Sequence, residues 1–286
     1  MKVAVIGANG QLGADLVKVM SQHGHEVVEL THADIAVEQI ESVREVLTAC
    51  KPNLVLNTAA YHITQQCEDH VDTAFAVNAQ GALNLANVAA EIKSVVVYYS
   101  TDYVFDGTKQ APYIETDLPN PLNVYAVSKL AGEYLTLNYH PNSYVIRISG
   151  IYGRTPCRAK GGNFITTMIR LAHEKPEVRV VTDEVLTPTS TYEIALKTVA
   201  LLKSERPGLY HLTCEGSCSW YEFAREIFTV LNLKTPLYEA TVKDFPLTVK
   251  RPFYSVLENR RFNALGVEQM PHWRDALHTF LQQYYK

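Results

Sequence analysis

The sequence has little that would tie the chain to a membrane, a nucleic acid or an oxidising compartment. No apolar run approaches the ~20 residues needed to span a bilayer. A formal net charge of -4 leaves no basic surface typical of nucleic-acid binding. The five cysteines are odd in number and irregularly spaced, which favours reduced thiols. Met1 and Lys2 lead directly into a predicted strand, without the layout of a signal peptide. Together these features predict a cytoplasmic protein that binds neither membrane nor nucleic acid.

Metal-ligand spacing and internal repeats are also absent from the sequence. Cys214 and Cys218 lack the second ligand pair of a zinc site, so no metal-binding residue is predicted. The composition, 47% hydrophobic and 20% charged, is that of an ordinary globular protein. A length of 286 residues fits one large domain or two domains that share a cleft.

A glycine-rich turn joins the first predicted strand, 2–6, to an amphipathic helix predicted over 14–23. Its run from Gly7 to Gly13 has the spacing Gly-x-x-Gly-x-x-Gly, and a second predicted strand, 26–30, follows the helix. Glycines in this context permit a tight turn and bring the backbone close to a pyrophosphate at the helix N-terminus. The pattern predicts a dinucleotide-binding site, against the simpler interpretation of a structural turn.

The end of the second predicted strand bears on the choice of cofactor. An acidic residue there favours the free ribose 2′-hydroxyl of NADH, and a basic residue accommodates the 2′-phosphate of NADPH. Here the strand ends in Thr31 and His32, while Asp34 lies beyond it, closer to the expected adenine. Neither signal is clear, so both NADH and NADPH are predicted to serve.

Helices and strands alternate through the rest of the first half. They are predicted over 38–50, 54–60, 71–91 and 95–100. The last strand delivers Thr101 and Asp102, and ligand crevices lie at the carboxyl ends of strands in parallel sheets. Thr101 is therefore a candidate active-site hydroxyl, with a turn or helix-cap hydroxyl as the alternative.

Tyr125 and Lys129 are predicted to share one face of a helix that runs to about residue 139. Residues four apart are neighbours on a helix, and a cation beside a phenol lowers the pKa of the phenol. A tyrosine with such a pKa can transfer a proton near neutral pH. An isolated pair would more often be a surface ion pair, but the surrounding glycine turn and strand ends favour catalysis.

The pattern changes to shorter elements after residue 150. The sequence predicts a Rossmann-type, doubly wound parallel α/β sheet over 1–150. A smaller α/β substrate-binding lobe is predicted over 151–286, with some of its segments returning to the first domain. Within this lobe, Ser219 and Glu222 have the spacing of a helix capping box.

Several runs of residues resemble a known family. They are the glycine turn, Asn57-Thr58-Ala59-Ala60, Ser100-Thr101-Asp102-Tyr103-Val104-Phe105-Asp106-Gly107, the Tyr125–Lys129 pair, Gly162-Asn163-Phe164 and the run from Cys218 to Ala224. Over nearly the whole chain, the sequence resembles the dTDP-4-dehydrorhamnose reductases, a family of extended short-chain dehydrogenase/reductases. The resemblance implies an NAD(P)H-dependent reduction of the C4 ketone of a nucleotide sugar, dTDP-6-deoxy-L-lyxo-4-hexulose, to dTDP-L-rhamnose.

The resemblance also implies a role for each matching residue. Tyr125 would donate the proton, Lys129 would bind the nicotinamide ribose and lower the Tyr125 pKa, and Thr101 would hydrogen-bond the reacting oxygen. Asp102 would contact the sugar, and Gly150 and Arg251 occupy substrate-side positions. The implied cofactor contacts are Gly7, Asn9, Gly10, Gln11 and Leu12 at the pyrophosphate, Asp34 and Ile35 at the adenine, Ala59, Ala60 and Tyr61 along the nucleotide, and Tyr99 at the nicotinamide side.

Two departures from the family pattern lie on the substrate side. Gly150 stands where the family has a Trp that borders the sugar. The glycine either widens the pocket or leaves space for a neighbour, with Ile151, Tyr152 and Phe253 as candidates. The late run Arg251-Pro252-Phe253-Tyr254-Ser255-Val256-Leu257-Glu258 also differs from the family's Arg-Pro-x-Asn-Ser-x-Leu-Asp.

These departures keep two alternatives open. The substrate could be another keto-sugar nucleotide, or the chain could be a non-catalytic NADP-binding subunit like the regulatory subunit of methionine adenosyltransferase. The presence of Thr101, Tyr125 and Lys129 together argues against the second alternative, because a binding module has no chemical need for all three. The resemblance is compatible with a homodimer.

Overall fold

A computed structural model describes residues 1–245 and 249–285, and one parallel sheet lies at its centre. The strands are β1 (Lys2–Ile6), β2 (Glu26–Leu30), β3 (Leu54–Asn57), β4 (Val95–Thr101), β5 (Tyr144–Ile148), β6 (Ile151–Tyr152), β7 (Val178–Val181), β8 (Val185–Leu186), β9 (Thr189–Ser190), β10 (Gly208–His211), β11 (Cys218–Ser219) and β12 (Leu237–Ala240). The central sheet has the order β10-β5-β4-β3-β1-β2, and its neighbours are parallel. The order reverses between β1 and β3, which is where such a sheet opens a ligand crevice. The predicted Rossmann-type fold is confirmed.

Helices cover both faces of this sheet. They are α1 (Gln11–Gln22), α2 (Ile40–Cys50), α3 (Thr64–Asp69), α4 (Val71–Phe75), α5 (Gly81–Glu91), α6 (Val124–Tyr139), α7 (Phe164–Glu174), α8 (Thr191–Lys203), α9 (Trp220–Leu231), α10 (Arg260–Asn263) and α11 (Trp273–Tyr285). Strand β1 divides its side chains between the two faces, because alternate residues of a strand point in opposite directions. Val3 and Val5 join the core beside α1 and α8, while Ala4 and Ile6 join the core beside α2 and α5. None of the described helices is long and apolar enough to cross a membrane.

The segment predicted as one helix over 71–91 is divided in three. A π-helical turn, Ala76–Gln80, separates α4 from α5, and the short helix α3 precedes them without having been predicted. A π-helical turn inserts a residue into the helical ladder and is frequent at functional sites. Here it turns the polar Asn78 inward, and Asn78 is fully buried.

The second half of the chain forms a smaller lobe that shares a core with the sheet. Its short strands pair as β7 with β12, β8 with β11 and β6 with β9. The predicted capping box at the start of α9 is confirmed, since Ser219 and Glu222 satisfy each other's backbone N–H groups. Phe223 and Trp273 of this lobe lie in the same hydrophobic cluster as Leu16 of α1. Strand β10 also returns to the edge of the central sheet, and the domain boundary at residue 150 stays a prediction.

Candidate active site

The turn after β1 has the shape of a phosphate cradle. Gly7 has a φ of +79°, and a Cβ on it would lie 2.6 Å from the Thr58 hydroxyl oxygen. A Cβ on Gly13 would lie 2.1 Å from the Gly7 carbonyl oxygen, so both positions require glycine. Gly10 is the N-cap of α1 and has no side chain that could accept a capping hydrogen bond. The first turn of α1 contains no acidic residue. The backbone N–H groups at this helix end therefore fit the pyrophosphate of a dinucleotide.

The side chains of the other residues predicted for this turn have different surroundings. Asn9 is exposed at the turn, and Leu12 packs into the hydrophobic core. The Gln11 amide donates to the Ile151 carbonyl oxygen at 3.0 Å and accepts from the Asn163 amide at 3.1 Å. The Gln11 side chain therefore ties α1 to the smaller lobe, which the sequence did not reveal.

The predicted adenine contacts, Asp34 and Ile35, have different surroundings. The Asp34 carboxylate accepts hydrogen bonds from the Thr31 hydroxyl at 2.7 Å and the Thr31 backbone N–H at 2.8 Å. These bonds lower the pKa of Asp34 and fix the turn that follows β2. Ile35 packs into the core, so its side chain does not face the surface of the cleft.

Asn78 holds the predicted nucleotide-lining segment in place. Ala59, Ala60 and Tyr61 follow β3 and are half-buried. The Asn78 side chain accepts from the Tyr61 backbone N–H and donates to the Tyr61 carbonyl oxygen, both at 2.9 Å. It also donates to the Ser128 hydroxyl on α6 at 2.9 Å. The sequence analysis did not predict this role, because Asn78 is one of several polar residues in this helical segment.

Helix α6 brings Tyr125 and Lys129 to the carboxyl end of β4. The helix begins after Asn123, whose side chain accepts from the Ala126 backbone N–H at 2.9 Å. The Lys129 ammonium donates to the Tyr99 carbonyl oxygen at 2.6 Å and lies 3.9 Å from the centre of the Tyr98 ring. Lys129 is 2% exposed, so this cation lies inside the protein.

Tyr99, predicted to line the nicotinamide side, contacts Lys129 through its backbone and not through its side chain. Its hydroxyl pairs with the Thr198 hydroxyl at 3.1 Å within the core. Its carbonyl oxygen is the group that receives the Lys129 hydrogen bond.

The predicted lowering of the Tyr125 pKa is wrong. Burial raises the pKa of Tyr125 above its ordinary value, and a hydrogen bond with the Thr101 side chain offsets part of this effect. Burial lowers the pKa of Lys129 to about 7, against the opposing charge of Glu133. Loss of solvation disfavours the charged form of each group. Tyr125 is therefore a phenol at neutral pH and can act as a proton donor.

Thr101 and Asp102 form a hydrogen-bonded group at the end of β4. The Thr101 hydroxyl donates to Asp102 and accepts from the Tyr103 backbone N–H, each at 3.2 Å. The other Asp102 oxygen accepts from the hydroxyls of Ser149 at 2.8 Å and Ser255 at 2.6 Å. The Asp102 carboxylate thus links β4 to the end of β5 and to the late run, and its contact with the sugar stays a prediction. Burial raises the pKa of Asp102 to about 6.

Gly150 does not leave an open pocket. It has a φ of +52°, and a Cβ on it would lie 2.6 Å from Leu186 Cδ1. Leu186 thus fills the space next to Gly150, in place of the three candidates named from sequence. Of those, Tyr152 is fully buried in the core and Phe253 is 55% exposed.

Arg251 lies close enough to Glu184 and Tyr103 to act on the pKa of each. Burial raises the pKa of Glu184, and the charge of Arg251 opposes this shift. Burial likewise raises the pKa of Tyr103, which is next to Asp102 in the chain, and Arg251 again opposes the shift. The Arg251 guanidinium is therefore within electrostatic reach of the residues around Thr101.

The parallel sheet, the glycine cradle and the group of Thr101, Tyr125 and Lys129 define an extended short-chain dehydrogenase/reductase. The family described as RmlD substrate binding domain matches residues 1–286, and the chain belongs to this family.

Relatives and a solved structure cover almost the whole chain. The chain is 39% identical over 282 residues to the spore coat polysaccharide biosynthesis protein SpsK of Bacillus subtilis, covering 99% of this chain and 97% of that protein. It is 36% identical over 291 residues to a dTDP-4-dehydrorhamnose reductase of Aggregatibacter actinomycetemcomitans, covering 96% and 97%. A crystal structure of dTDP-4-dehydrorhamnose reductase from Bacillus anthracis in complex with NADP is 33% identical, with a TM-score of 0.94 and 99% of each chain covered.

Proposed function

We propose that the chain is an NAD(P)H-dependent reductase of the C4 ketone of a dTDP-activated 6-deoxy sugar. Its substrate is dTDP-4-dehydrorhamnose and its product is dTDP-L-rhamnose. The observation that carries this proposal is the contact of Thr101 with Tyr125 and of Lys129 with the Tyr99 carbonyl oxygen near the carboxyl end of β4. The glycine turn after β1 lies at the same edge of the parallel sheet. The family membership and the names of the full-length relatives support the substrate class.

The cofactor would be held by the backbone of the turn from Gly7 to Leu12 and by the segment 59–61. When bound, NAD(P)H supplies the hydride that reduces the carbonyl carbon. Tyr125 keeps its proton at neutral pH and donates it to the carbonyl oxygen as negative charge develops there. The Thr101 hydroxyl holds this oxygen in line with Tyr125. The Lys129 ammonium binds the nicotinamide ribose.

On the substrate side, Arg251 supplies the positive charge for the diphosphate of the nucleotide sugar. A guanidinium suits this role because its planar set of donors matches phosphate oxygens. Asp102 holds the surrounding segments together through Ser149 and Ser255. Residues 151–286 supply most of this side of the cleft, and 1–150 supply the cofactor side.

A turnover assay tests the proposal. The purified protein is mixed with NADPH or NADH and with dTDP-4-dehydrorhamnose, a dTDP-4-keto-6-deoxyglucose or a UDP-linked 4-keto sugar, and cofactor oxidation is followed by absorbance. We expect the highest kcat/KM for dTDP-4-dehydrorhamnose, with dTDP-L-rhamnose as the product. A preference for another sugar would favour the second substrate hypothesis. Tight NADPH binding without turnover of any sugar would favour a non-catalytic subunit.

A further inference from the structure

A buried ion pair lies next to Lys129 and has no part in the roles assigned above. Glu133 is one turn further along α6, and its carboxylate accepts from Arg147 Nε at 2.9 Å and from Arg147 Nη2 at 2.6 Å. Both side chains are 2% exposed. A buried ion pair is weak evidence for stability, because two apolar residues of similar volume often pack as well. Stability alone does not account for this pair, so its position in the fold is the relevant observation.

The pair joins three elements that carry the proposed active site. Glu133 belongs to α6, Arg147 belongs to β5, and the Ser100 hydroxyl of β4 also donates to Glu133. Ser100 stands between Tyr99, whose carbonyl oxygen receives the Lys129 hydrogen bond, and Thr101. Two neighbouring residues of β4 are thus fixed to two consecutive turns of α6. This arrangement sets the distance between the Lys129 ammonium and the Thr101 hydroxyl.

The same carboxylate is the negative charge that acts on Lys129. Glu133 is the charged group that acts on Lys129, whereas Asp102 and Cys67 act on Tyr125, its neighbour one turn earlier on α6. The Tyr98 ring lies 3.9 Å from the Lys129 ammonium, and Arg147 is bonded to Glu133. Glu133 raises the pKa of Lys129 against the effect of burial. Arg147 binds Glu133, and its Nη1 also lies 3.4 Å from His211 Nε2. Burial lowers the pKa of His211, so this histidine is neutral.

We propose that Glu133, held by Arg147 and Ser100, is a positioning residue of this active site. It fixes the spacing of Lys129 and Thr101. Its negative charge also keeps Lys129 in the ammonium form for cofactor binding. The expected effect on kcat rests on the proposed reductase function. The expected effect on NADPH binding applies to any protein that binds the dinucleotide here.

Three variants test this proposal at increasing severity. Ser100→Ala removes one hydrogen bond, Glu133→Gln removes the charge, and the double variant Glu133→Leu with Arg147→Met replaces the pair by apolar side chains. Thr136→Val is the matched control, because Thr136 is fully buried on the same helix and its hydroxyl donates to the Gly132 carbonyl oxygen of that helix. The measurements are NADPH affinity by fluorescence between about pH 6 and 9, kcat and KM, and urea unfolding.

We expect Glu133→Gln and the double variant to bind NADPH more weakly. As the pH is raised, their affinity should begin to fall at a lower pH than that of the wild type, because Lys129 loses its proton earlier. Their kcat should fall ~10-fold or more, since small misplacements of reacting groups have such effects. Ser100→Ala should show smaller changes in the same direction. Thr136→Val should lose stability while keeping wild-type affinity and kcat.

Two results would overturn the proposal. One is a folded double variant with the wild-type pH dependence of NADPH binding and the wild-type kcat. If the double variant and Glu133→Gln do not fold, wild-type affinity and kcat in Ser100→Ala would overturn it. A wild-type protein that binds NADPH but reduces no keto sugar would contradict the proposed function alone, because the NADPH titrations of the variants need no sugar.

Discussion

At the scale of single residues, Tyr125 shows how burial can prepare a proton donor. Its raised pKa keeps the phenol protonated at neutral pH, and the Thr101 hydroxyl lies within reach of it. We expect Tyr125→Phe to lower kcat ~10²–10⁴-fold, the usual contribution of general acid catalysis. NADPH affinity, measured by fluorescence, should stay near the wild-type value. A Phe variant with near-wild-type kcat would remove Tyr125 from the mechanism.

Asp102 provides a second prediction at this scale, concerning pH. Burial raises its pKa from 3.8 to about 6, so between these values the folded chain holds a proton that the unfolded chain has released. The contribution of Asp102 to the unfolding free energy therefore falls as the pH rises from about 4 to about 6. Below this range the carboxyl is neutral in both states, and above it the charge is present in both.

Asp102→Asn should remove this titration. We expect the change in unfolding free energy between about pH 4 and 7 to be smaller in the variant, by up to about 3 kcal/mol. Urea unfolding of both proteins at several pH values measures the difference. The same pH dependence in both proteins would show that Asp102 titrates normally in the folded state.

At the scale of secondary-structure elements, the close approach of α6 to the π-helical turn sets the position of Tyr125 and Lys129. A Cβ on Gly132 would lie 2.3 Å from the Asn78 carbonyl oxygen and 2.4 Å from the Tyr98 hydroxyl. Gly to Ala inside a helix normally stabilises it by about 1 kcal/mol. Here the added methyl group must displace α6.

We therefore expect Gly132→Ala to destabilise the protein by about 1–3 kcal/mol, as overpacking does. It should also lower kcat, because Tyr125 and Lys129 move with the helix. Tyr134→Ala, at a position 53% exposed on the same helix, is the control and should leave kcat unchanged. A stabilised Gly132→Ala protein with full turnover would contradict this picture of the contact.

The turn after β2 bears on the choice between NADH and NADPH. The Asp34 carboxylate is engaged by Thr31, and the strand end offers neither a free carboxylate nor an arginine. We expect kcat/KM values for the two cofactors within about a hundredfold, or ~2.7 kcal/mol. Steady-state kinetics with each cofactor measures this ratio. A much larger preference in either direction would mean that another segment recognises the 2′-hydroxyl or 2′-phosphate of the adenosine ribose.

At the scale of the whole molecule, one hydrophobic cluster spans both halves of the chain. It joins Leu16 of α1 to Phe223 and Trp273 of the smaller lobe, and β10 completes the central sheet from the second half. We expect a single unfolding transition in urea. Far-UV circular dichroism, which reports the whole chain, should coincide with fluorescence of Trp220 and Trp273, which reports the lobe. Separate midpoints for the two signals would show that the halves fold independently.

Local sequence patterns were enough to predict the fold class and the residues of the candidate active site. The glycine turn, the strand ends and the spacing of Tyr125 and Lys129 are local patterns, because hydrogen bonding and helix geometry act over a few residues. These patterns were sufficient to predict the parallel sheet and to place Thr101 beside Tyr125.

The surroundings of these groups follow from the tertiary structure. Burial reversed the expected shift of the Tyr125 pKa, Ser149 and Ser255 occupied the Asp102 carboxylate, and Leu186 filled the space beside Gly150. Each of these outcomes depends on residues distant in sequence that the fold brings together. Desolvation and packing depend on that whole environment and not on local spacing, so the sequence pattern could not predict them.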